Sequence, residues 1–288
     1  YLSKGFSWKS DYVLSLDQAG TLGDVKGWVT MTNNSGTSFE NAKLKLLAGE
    51  VNRVRETPMP TTLAAPADAA AMPRSRAMAE EQFGDYHLYT LDRLATVRNN
   101  EIKQLSLLEA VGIKVNKVLL IDSARDSWST AENDEVGDTN IKPTIYIELE
   151  NSKENNMGMP LPAGTFKVFQ RSKSGSLEML GEDSITHTPR NEKVKLHVGQ
   201  AFDVVASRKR TAYVKVTARR VRETFEIEVR NRKESPETVT VWERNSGDHK
   251  VTKANMEYTT LDSTTTQFLL KLGANEVKTI VYTVETKW

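Results

Sequence analysis

The side chains best suited to bind a metal ion are concentrated in one acidic stretch near the middle of the chain. Its possible oxygen ligands are Glu132, Asp134, Glu135, Asp138 and Asn140. Such ligands suit Ca²⁺, but the stretch lacks the Asp-x-Asp-x-Asp-Gly order and the spaced closing Glu of a helix-loop-helix calcium site. We favour a solvated connector here, with Asp134 and Asp138 as the candidate ligands if a metal binds.

No other motif in the sequence predicts catalysis. The histidines show neither His-x-His nor His-Glu-x-x-His spacing; they are His87, His187, His197 and His249. The absence of cysteine excludes disulfides and thiol catalysis. Glycine-rich phosphate loops and the Gly-x-Ser-x-Gly elbow are also missing. We therefore predict no catalytic residue and no cofactor.

A basic stretch raises the question of an anionic partner. It comprises Arg208, Lys209, Arg210, Lys215, Arg219, Arg220 and Arg222. Only Tyr213 lies nearby to stack on a base, and Glu223, Glu226 and Glu228 follow closely enough to neutralise the stretch across strands. Because the formal net charge is only +1, we predict a solvated strand face and no nucleic-acid partner.

Among the five tryptophans, one is a candidate for ligand contact. Trp28 and Trp242 occur within alternating strands, where we expect core positions. Trp128 lies in the polar connector, away from any strand pattern. We therefore expect Trp128 to stack on a ligand such as a glycan, or to lie in an interface.

The elements that must position these residues carry a phrase that occurs three times. An alternating strand ends in an asparagine-centred turn at residues 27–34, 144–151 and 224–231. An Asn-Glu turn carrying a lysine follows later in each copy, at 100–103, 191–193 and 275–278. Such a recurrence is typical of a repeated β-sandwich unit.

The fold class predicted from this pattern is all-β, built from tandem immunoglobulin-like antiparallel β-sandwich units. Apolar residues alternate with polar ones along most of the chain, and turn residues punctuate them at short intervals. We place the units at 1–121, 141–206 and 207–288. The one predicted helix is short, at residues 76–82.

Two segments interrupt the strands. Residues 57–84 form an insertion within the first unit that is rich in Ala, Pro and Met, and residues 122–140 form the acidic connector. We expect the insertion to dock on another part of the chain or on a second copy. The candidate interaction residues are Pro66, Met72 and Arg74 in the insertion and Trp128 in the connector.

Several phrases spread along the chain resemble the domain of unknown function 4139 family, a group of uncharacterised bacterial proteins. They occur at residues 1–8, 11–14, 41–51, 161–164 (Leu-Pro-Ala-Gly), 199–204, 231–233 and 239–244. The resemblance implies an all-β, exported protein of Gram-negative type, and it carries over no catalytic residue. It also implies that a further region precedes the Tyr1-like start.

These observations favour a non-enzymatic structural or protein-interaction module of the cell envelope, possibly a self-assembling subunit. We expect a periplasmic or extracellular location, with an upstream signal peptide removed, and a protein partner or homo-oligomer. Exposed strand edges would allow strand addition between copies. The alternatives are a metal-assisted hydrolase with a site between units and a glycan-binding module. No apolar run is long enough to predict a transmembrane helix.

Overall fold

The computed structural model describes residues 4–49, 78–123, 137–245 and 247–287. The described chain is built almost entirely of β-strands, which confirms the all-β prediction. The described residues contain no α-helix, and a 3₁₀-helix spans Lys153–Asn155. None of these residues belongs to a helix that could cross a membrane.

The strands are numbered in chain order. They are β1 Phe6–Leu16, β2 Leu22–Asn33, β3 Phe39–Ala42, β4 Lys45–Ala48, β5 Ala79–Phe83, β6 Tyr86–Thr90, β7 Ala95–Val97, β8 Glu101–Asp122, β9 Gly137–Ile141, β10 Thr144–Glu150, β11 Gly164–Arg171, β12 Leu177–Ile185, β13 Lys193–Gln200, β14 Val204–Thr217, β15 Arg220–Asn231, β16 Glu237–Arg244, β17 Asp248–Ala254, β18 Tyr258–Thr260, β19 Thr265–Leu272 and β20 Val277–Lys287.

The chain divides into two compact units that are interleaved along the sequence. Unit 1 takes residues 1–115 and 149–196, and unit 2 takes residues 116–148 and 197–288. The chain therefore passes from one unit to the other inside β8, β10 and β13. This division differs from the three sequential units expected from the sequence, because each unit takes strands from two separate stretches.

Unit 1 contains a sheet in the order β12-β11-β1-β2-β8, together with smaller sheets β4-β6-β5 and β3-β7. Within the main sheet β1 and β11 run parallel, whereas the other pairs are antiparallel. A parallel pair is possible because a long stretch of chain separates the two strands. Tyr12 of β1 and Phe166 of β11 stack in the core with 4.5 Å between ring centroids.

The segment before β11 is anchored by hydrogen bonds from side chains of unit 1. The hydroxyls of Tyr12 and Ser10 donate to the carbonyls of Pro162 and Ala163 at 2.8 and 2.7 Å. A Cβ at Gly164 would lie 2.3 Å from the Ser10 carbonyl oxygen, so only glycine fits there. The Leu-Pro-Ala-Gly phrase therefore has a folding role.

Unit 2 is a sandwich of two sheets around one core. One sheet has the order β17-β20-β15-β14-β9, and the other contains the end of β8 with β16, β19 and β18. Apolar residues from both sheets fill the space between them, and Phe268 of β19 meets Tyr282 of β20 with 5.4 Å between ring centroids. Strands β8 and β16 pair in parallel.

The repeated asparagine phrase forms a similar structural corner in each of its copies. Asn33, Asn151 and Asn231 are fully buried, and each side-chain amide donates to at least two backbone carbonyls. The partner turns place Asn100, Asn191 and Asn275 in the left-handed region, with φ of 59°, 62° and 53°. Asparagine tolerates this region better than most residues, which explains why these turns use it.

Two local predictions are wrong. The described part of the predicted helix at 76–82 belongs to strand β5, because Ala79–Phe83 pairs in antiparallel register with β6. Trp28 and Trp242 were expected in the core but are only half-buried. Their neighbours Val29 and Val241 face the core, so the tryptophan side chains lie on the other face of each strand. The Trp242 indole instead donates to the Gln267 side chain at 2.9 Å.

Candidate functional site

Most of the site residues predicted from sequence lie outside the described residues: Pro66, Met72, Arg74, Trp128 and Asp134. Asp138 lies on the exposed strand β9, where its carboxylate accepts the backbone N–H of Asn140 at 3.0 Å. Among the described residues, no group of three or more His, Asp or Glu side chains is arranged to hold a metal ion. Asp138 therefore belongs to no such group within the described ranges.

The basic stretch is only partly a solvated face, which corrects the sequence prediction. Arg208 and Arg210 are buried, because alternate residues of β14 face inward and these two follow the inward-facing Val204 and Ala206. The expected neutralisation across strands is confirmed by the ion pairs Lys209–Glu226 at 2.7 Å and Arg210–Glu223 at 2.9 Å.

Arg208 belongs to a buried ionic cluster that sequence reasoning missed. Its guanidinium donates to both carboxylate oxygens of Glu243 at 2.6 to 3.0 Å. The Tyr282 hydroxyl donates to the same carboxylate, and the guanidinium lies 4.0 Å from the Phe225 ring centroid. The sequence did contain a signal for this cluster. Glu243 continues the every-second-residue pattern of Val239 and Val241, which places its side chain on the inward face of β16.

The electrostatics of this cluster indicate a structural role. Burial raises the pKa of Tyr282 well above its usual value, and the neighbouring Glu243 charge acts in the same direction. Burial by itself lowers the pKa of Arg208, but the Glu243 carboxylate outweighs this and raises it overall. Both shifts favour a charged guanidinium at Arg208 and a neutral hydroxyl at Tyr282, which suits two groups that hold the Glu243 carboxylate in place.

A polar cavity of about 540 Å³ lies in unit 2 and is the strongest candidate for a ligand site. It is formed by β17 of one sheet and by β18, β19 and their connecting turn from the other sheet. The lining residues are Gly247, Asp248, His249, Lys250, Val251, Tyr258, Thr260, Asp262, Ser263 and Thr266. Its volume falls within the usual range for small-molecule sites, but its lining is more polar than most.

Two buried atoms of the cavity residues make no hydrogen bond within the described chain. They are the hydroxyl oxygen of Thr266, a fully buried residue, and Nδ1 of His249. Buried polar atoms nearly always have a partner, because leaving one without a partner costs about 1–3 kcal/mol. Two further such atoms belong to Arg208 and Arg210, whose guanidinium groups form ion pairs with Glu243 and Glu223. Thr266 and His249 differ from these arginines because they belong to the lining of the cavity.

Asp262 shapes the turn at the cavity edge. Its carboxylate accepts the backbone N–H and the hydroxyl of Thr264 and the hydroxyl of Thr265, at 2.7 to 2.9 Å. These bonds, led by the one from the Thr264 N–H, lower the pKa of Asp262 to about 2. Asp262 is therefore ionised at neutral pH, and its oxygens are largely occupied by the turn.

One histidine lies beside a carboxylate in unit 1. His87 Nδ1 is 2.8 Å from Glu80, and Arg190 pairs with the other oxygen of the same carboxylate. Because Arg190 already compensates the Glu80 charge, this arrangement is typical of an ion pair that joins β5 to a neighbouring segment. A second histidine of unit 1, His187, accepts the Ala163 N–H at 3.1 Å.

The strand edges form a second type of candidate site. Strand β12 is the last strand of its sheet, and no described strand pairs with the outer edge of residues 177–181. Leu177 and Met179 are 47% and 50% exposed there. In unit 2, β9 pairs with β14 only through Ala206, Arg208 and Lys209, so residues 212–217 have no described strand on that side.

The fold and these sites define an all-β protein with a polar cavity and two strand edges at which no described strand is paired. Searches against protein-family models and among curated proteins found no match to this chain. The resemblance to the domain of unknown function 4139 family therefore stays a prediction.

Proposed function

We propose that this protein is a non-enzymatic interaction module that assembles with further copies of itself by strand addition. The observation that carries the proposal is the pair of accessible edges, β12 in unit 1 and residues 212–217 of β14 in unit 2. An added strand forms backbone hydrogen bonds along such an edge, and its side chains supply the specificity.

The charges on the two edges are complementary. Strand β12 contains Glu178, Glu182 and Asp183 and no basic residue, so two β12 edges would repel each other. Residues 212–222 contain Lys215, Arg219 and Arg220 among their basic residues and no acidic one. We therefore infer that β12 of one copy pairs with β14 of the next, which is a heterologous contact that generates a ring or a filament.

Apolar side chains at both edges support this pairing. Leu177, Met179 and Leu180 are exposed on β12, and Val214 and Val216 are exposed on β14. Exposed apolar residues on an edge strand favour association, whereas the nearby charges restrict which partner can approach. The bulge at Leu180 of β12, which lies opposite the step from Val168 to Phe169 of β11, adds a local irregularity that also limits promiscuous pairing.

The remaining parts of the proposal rest on sequence. We propose that the sandwich of unit 2 is immunoglobulin-like, since its two sheets enclose one core in the manner of such domains. The cell-envelope setting, with a periplasmic or extracellular location, rests on the family resemblance. Cell fractionation of a tagged full-length product in a Gram-negative host would test it, and a cytosolic product would contradict it.

A charge-swap experiment tests the assembly. The wild-type chain is expected to show a concentration-dependent mass increase in sedimentation velocity up to about 100 µM, where a micromolar interface becomes populated. The double substitution Glu178→Lys/Glu182→Lys should weaken assembly at least about tenfold. Adding Lys215→Glu/Arg219→Glu to the same chain should restore it, because each edge then again meets the opposite charge.

The control is Glu40→Lys/Glu154→Lys, which makes the same charge change at exposed positions away from both edges. This variant should assemble like the wild type. A wild-type chain that stays monomeric over the whole range would contradict the proposal. So would a β12 double variant that assembles as well as the control.

A further inference from the structure

One end of unit 2 has a concentration of positive charge that the net charge of the chain conceals. The ends of four neighbouring strands meet there, in the order β17-β20-β15-β14. We call residues 214–222, 248–250 and 285–287 the basic end, since they lie side by side in register. It contains two acidic residues, Asp248 and Glu285, and six basic ones: Lys215, Arg219, Arg220, Arg222, Lys250 and Lys287. Its net charge is therefore +4, against +1 for the whole chain.

Most of this charge is available to a partner. Glu285 pairs with Arg220 and Arg222 at 3.2 and 2.9 Å, and these two arginine side chains still remain 44% and 48% exposed. The other basic side chains of the basic end are exposed and form no ion pair with a described residue: Lys215, Arg219, Lys250 and Lys287. Charges of one sign that lie this close together attract a surface of the opposite sign.

Two exposed apolar side chains accompany these charges. Val214 and Val216 of β14 are 51% and 39% exposed. Basic residues beside exposed apolar side chains are typical of a surface that lies on an anionic bilayer, because lipid headgroups meet the charges while the boundary of the acyl chains accepts the apolar groups. A soluble polyanion would leave both valines in water.

A nucleic acid fits this end less well than a bilayer does. Proteins bind single-stranded nucleic acids by stacking bases on aromatic rings along a basic groove. The basic end contains no Phe, Tyr or Trp. The neighbouring Tyr213 is half-buried, and the Arg210 guanidinium lies 4.8 Å from its ring centroid. The charges therefore lack the aromatic surface that would hold bases.

We propose that the basic end of unit 2 binds the surface of an anionic lipid bilayer. Its lysines and arginines contact the lipid headgroups, and Val214 and Val216 enter the boundary between headgroups and acyl chains. This binding is a function separate from self-assembly. It uses side chains from four strands, whereas strand addition uses the backbone edge of β14.

Vesicle co-sedimentation with the full chain tests the proposal. Vesicles of phosphatidylcholine with about 30% phosphatidylglycerol supply the anionic surface, and vesicles of phosphatidylcholine alone are the neutral comparison. At an ionic strength of about 0.1 M, the wild-type chain should be half-bound at about 1 mM anionic-vesicle lipid or below. Raising the salt to about 0.5 M should release it, because the added ions screen the attraction.

The decisive variant is Lys250→Gln/Lys287→Gln, which removes two exposed charges from β17 and β20. It should weaken binding to the anionic vesicles at least about tenfold. The matched control is Arg232→Gln/Lys271→Gln, which removes two exposed charges of unit 2 outside the basic end; Arg232 follows the far end of β15. The control should bind like the wild type.

Three results would overturn the proposal. The first is a wild-type chain that binds both kinds of vesicle alike, or neither at about 5 mM lipid. The second is a chain that binds heparin but not the anionic vesicles, since the partner would then be a soluble polyanion. The third is equal lipid affinity of the two double variants. Because Lys250 and Lys287 lie outside the β14 edge, their substitution should leave self-assembly unchanged, and the two proposals fail separately.

Discussion

Two polar regions of unit 2 differ in how their hydrogen bonds are satisfied. In the core cluster, the Glu243 carboxylate accepts from both the Arg208 guanidinium and the Tyr282 hydroxyl. In the cavity, Thr266 and His249 each have a buried polar atom with no partner among the described groups. Both regions lie between the same two sheets, so burial alone does not separate them.

The difference is expected to appear in the effect of substitutions on stability. Removing one partner of a buried ion pair is costly, because the other charge is left buried without compensation. A buried polar atom without a partner costs the protein about 1–3 kcal/mol, so removing that atom should not destabilise the fold. Within this sandwich, the presence of a partner therefore predicts the sign of a substitution's effect better than burial does.

The largest effect is expected in the core cluster. Glu243→Gln should lower the free energy of unfolding by about 3–5 kcal/mol, because it leaves the Arg208 charge buried without a counter-ion. Urea unfolding at neutral pH measures the loss. Glu226→Gln, which removes the counter-ion of the largely exposed Lys209, should cost no more than about 1 kcal/mol.

The triple substitution Arg208→Met/Glu243→Leu/Tyr282→Phe sharpens this test. It removes all three polar partners together, so much of the stability lost in Glu243→Gln should return. A Glu243→Gln variant that loses less than about 1 kcal/mol would show that the cluster does not stabilise the fold as a matched ion pair.

An intermediate effect is expected at the third asparagine corner. Asn231→Ala should cost about 1–3 kcal/mol, since the fully buried Asn231 side chain loses its hydrogen bonds to the carbonyls of Ser235 and Gly273. Chemical denaturation again measures the change. Asn255→Ala is the comparison, because exposed Asn255 also makes two backbone hydrogen bonds but its partners gain access to water. Equal losses in the two variants would remove burial as the explanation.

The smallest loss is expected in the cavity. Thr266→Val should leave the protein at least as stable as the wild type, and at most about 1–3 kcal/mol more stable, because no hydrogen bond is lost and a buried hydroxyl without a partner is removed. A thermal or urea midpoint at or above that of the wild type is the expected result. A loss as large as that of Asn231→Ala would show that the Thr266 hydroxyl has a structural partner and would end the contrast between the regions.

The sequence predicted those features that depend on local pattern. Asn33, Asn151 and Asn231 recur after alternating strands, and the corners follow because asparagine can bond to nearby backbone groups. The strand character of β1, β16 and β19 followed from alternation alone. Alternation alone did not show which face of β16 is buried. The large aromatic Trp242 suggested one face, whereas the buried face is the one that carries the charged Glu243.

The candidate sites depended on contacts between distant residues. The cavity forms where β17 meets β18 and β19 from the opposite sheet, and no short motif encodes that meeting. Arg208 looked like part of a solvated basic stretch, although its two-residue spacing from Ala206 placed it inward. A charged residue in the inward phase of an alternating strand was the signal that could have revealed the buried cluster.

The parallel pairing of β1 with β11 has a consequence for synthesis of the chain. The Tyr12 hydroxyl bonds to Pro162, about half the chain away in sequence, so the first strand emerges from the ribosome long before its neighbour exists. Contacts of such long sequence separation slow folding and leave a strand edge exposed in the meantime. A nascent chain that ends before residue 164 therefore presents β1 as an open edge, and it is at this stage that the protein is most exposed to aggregation.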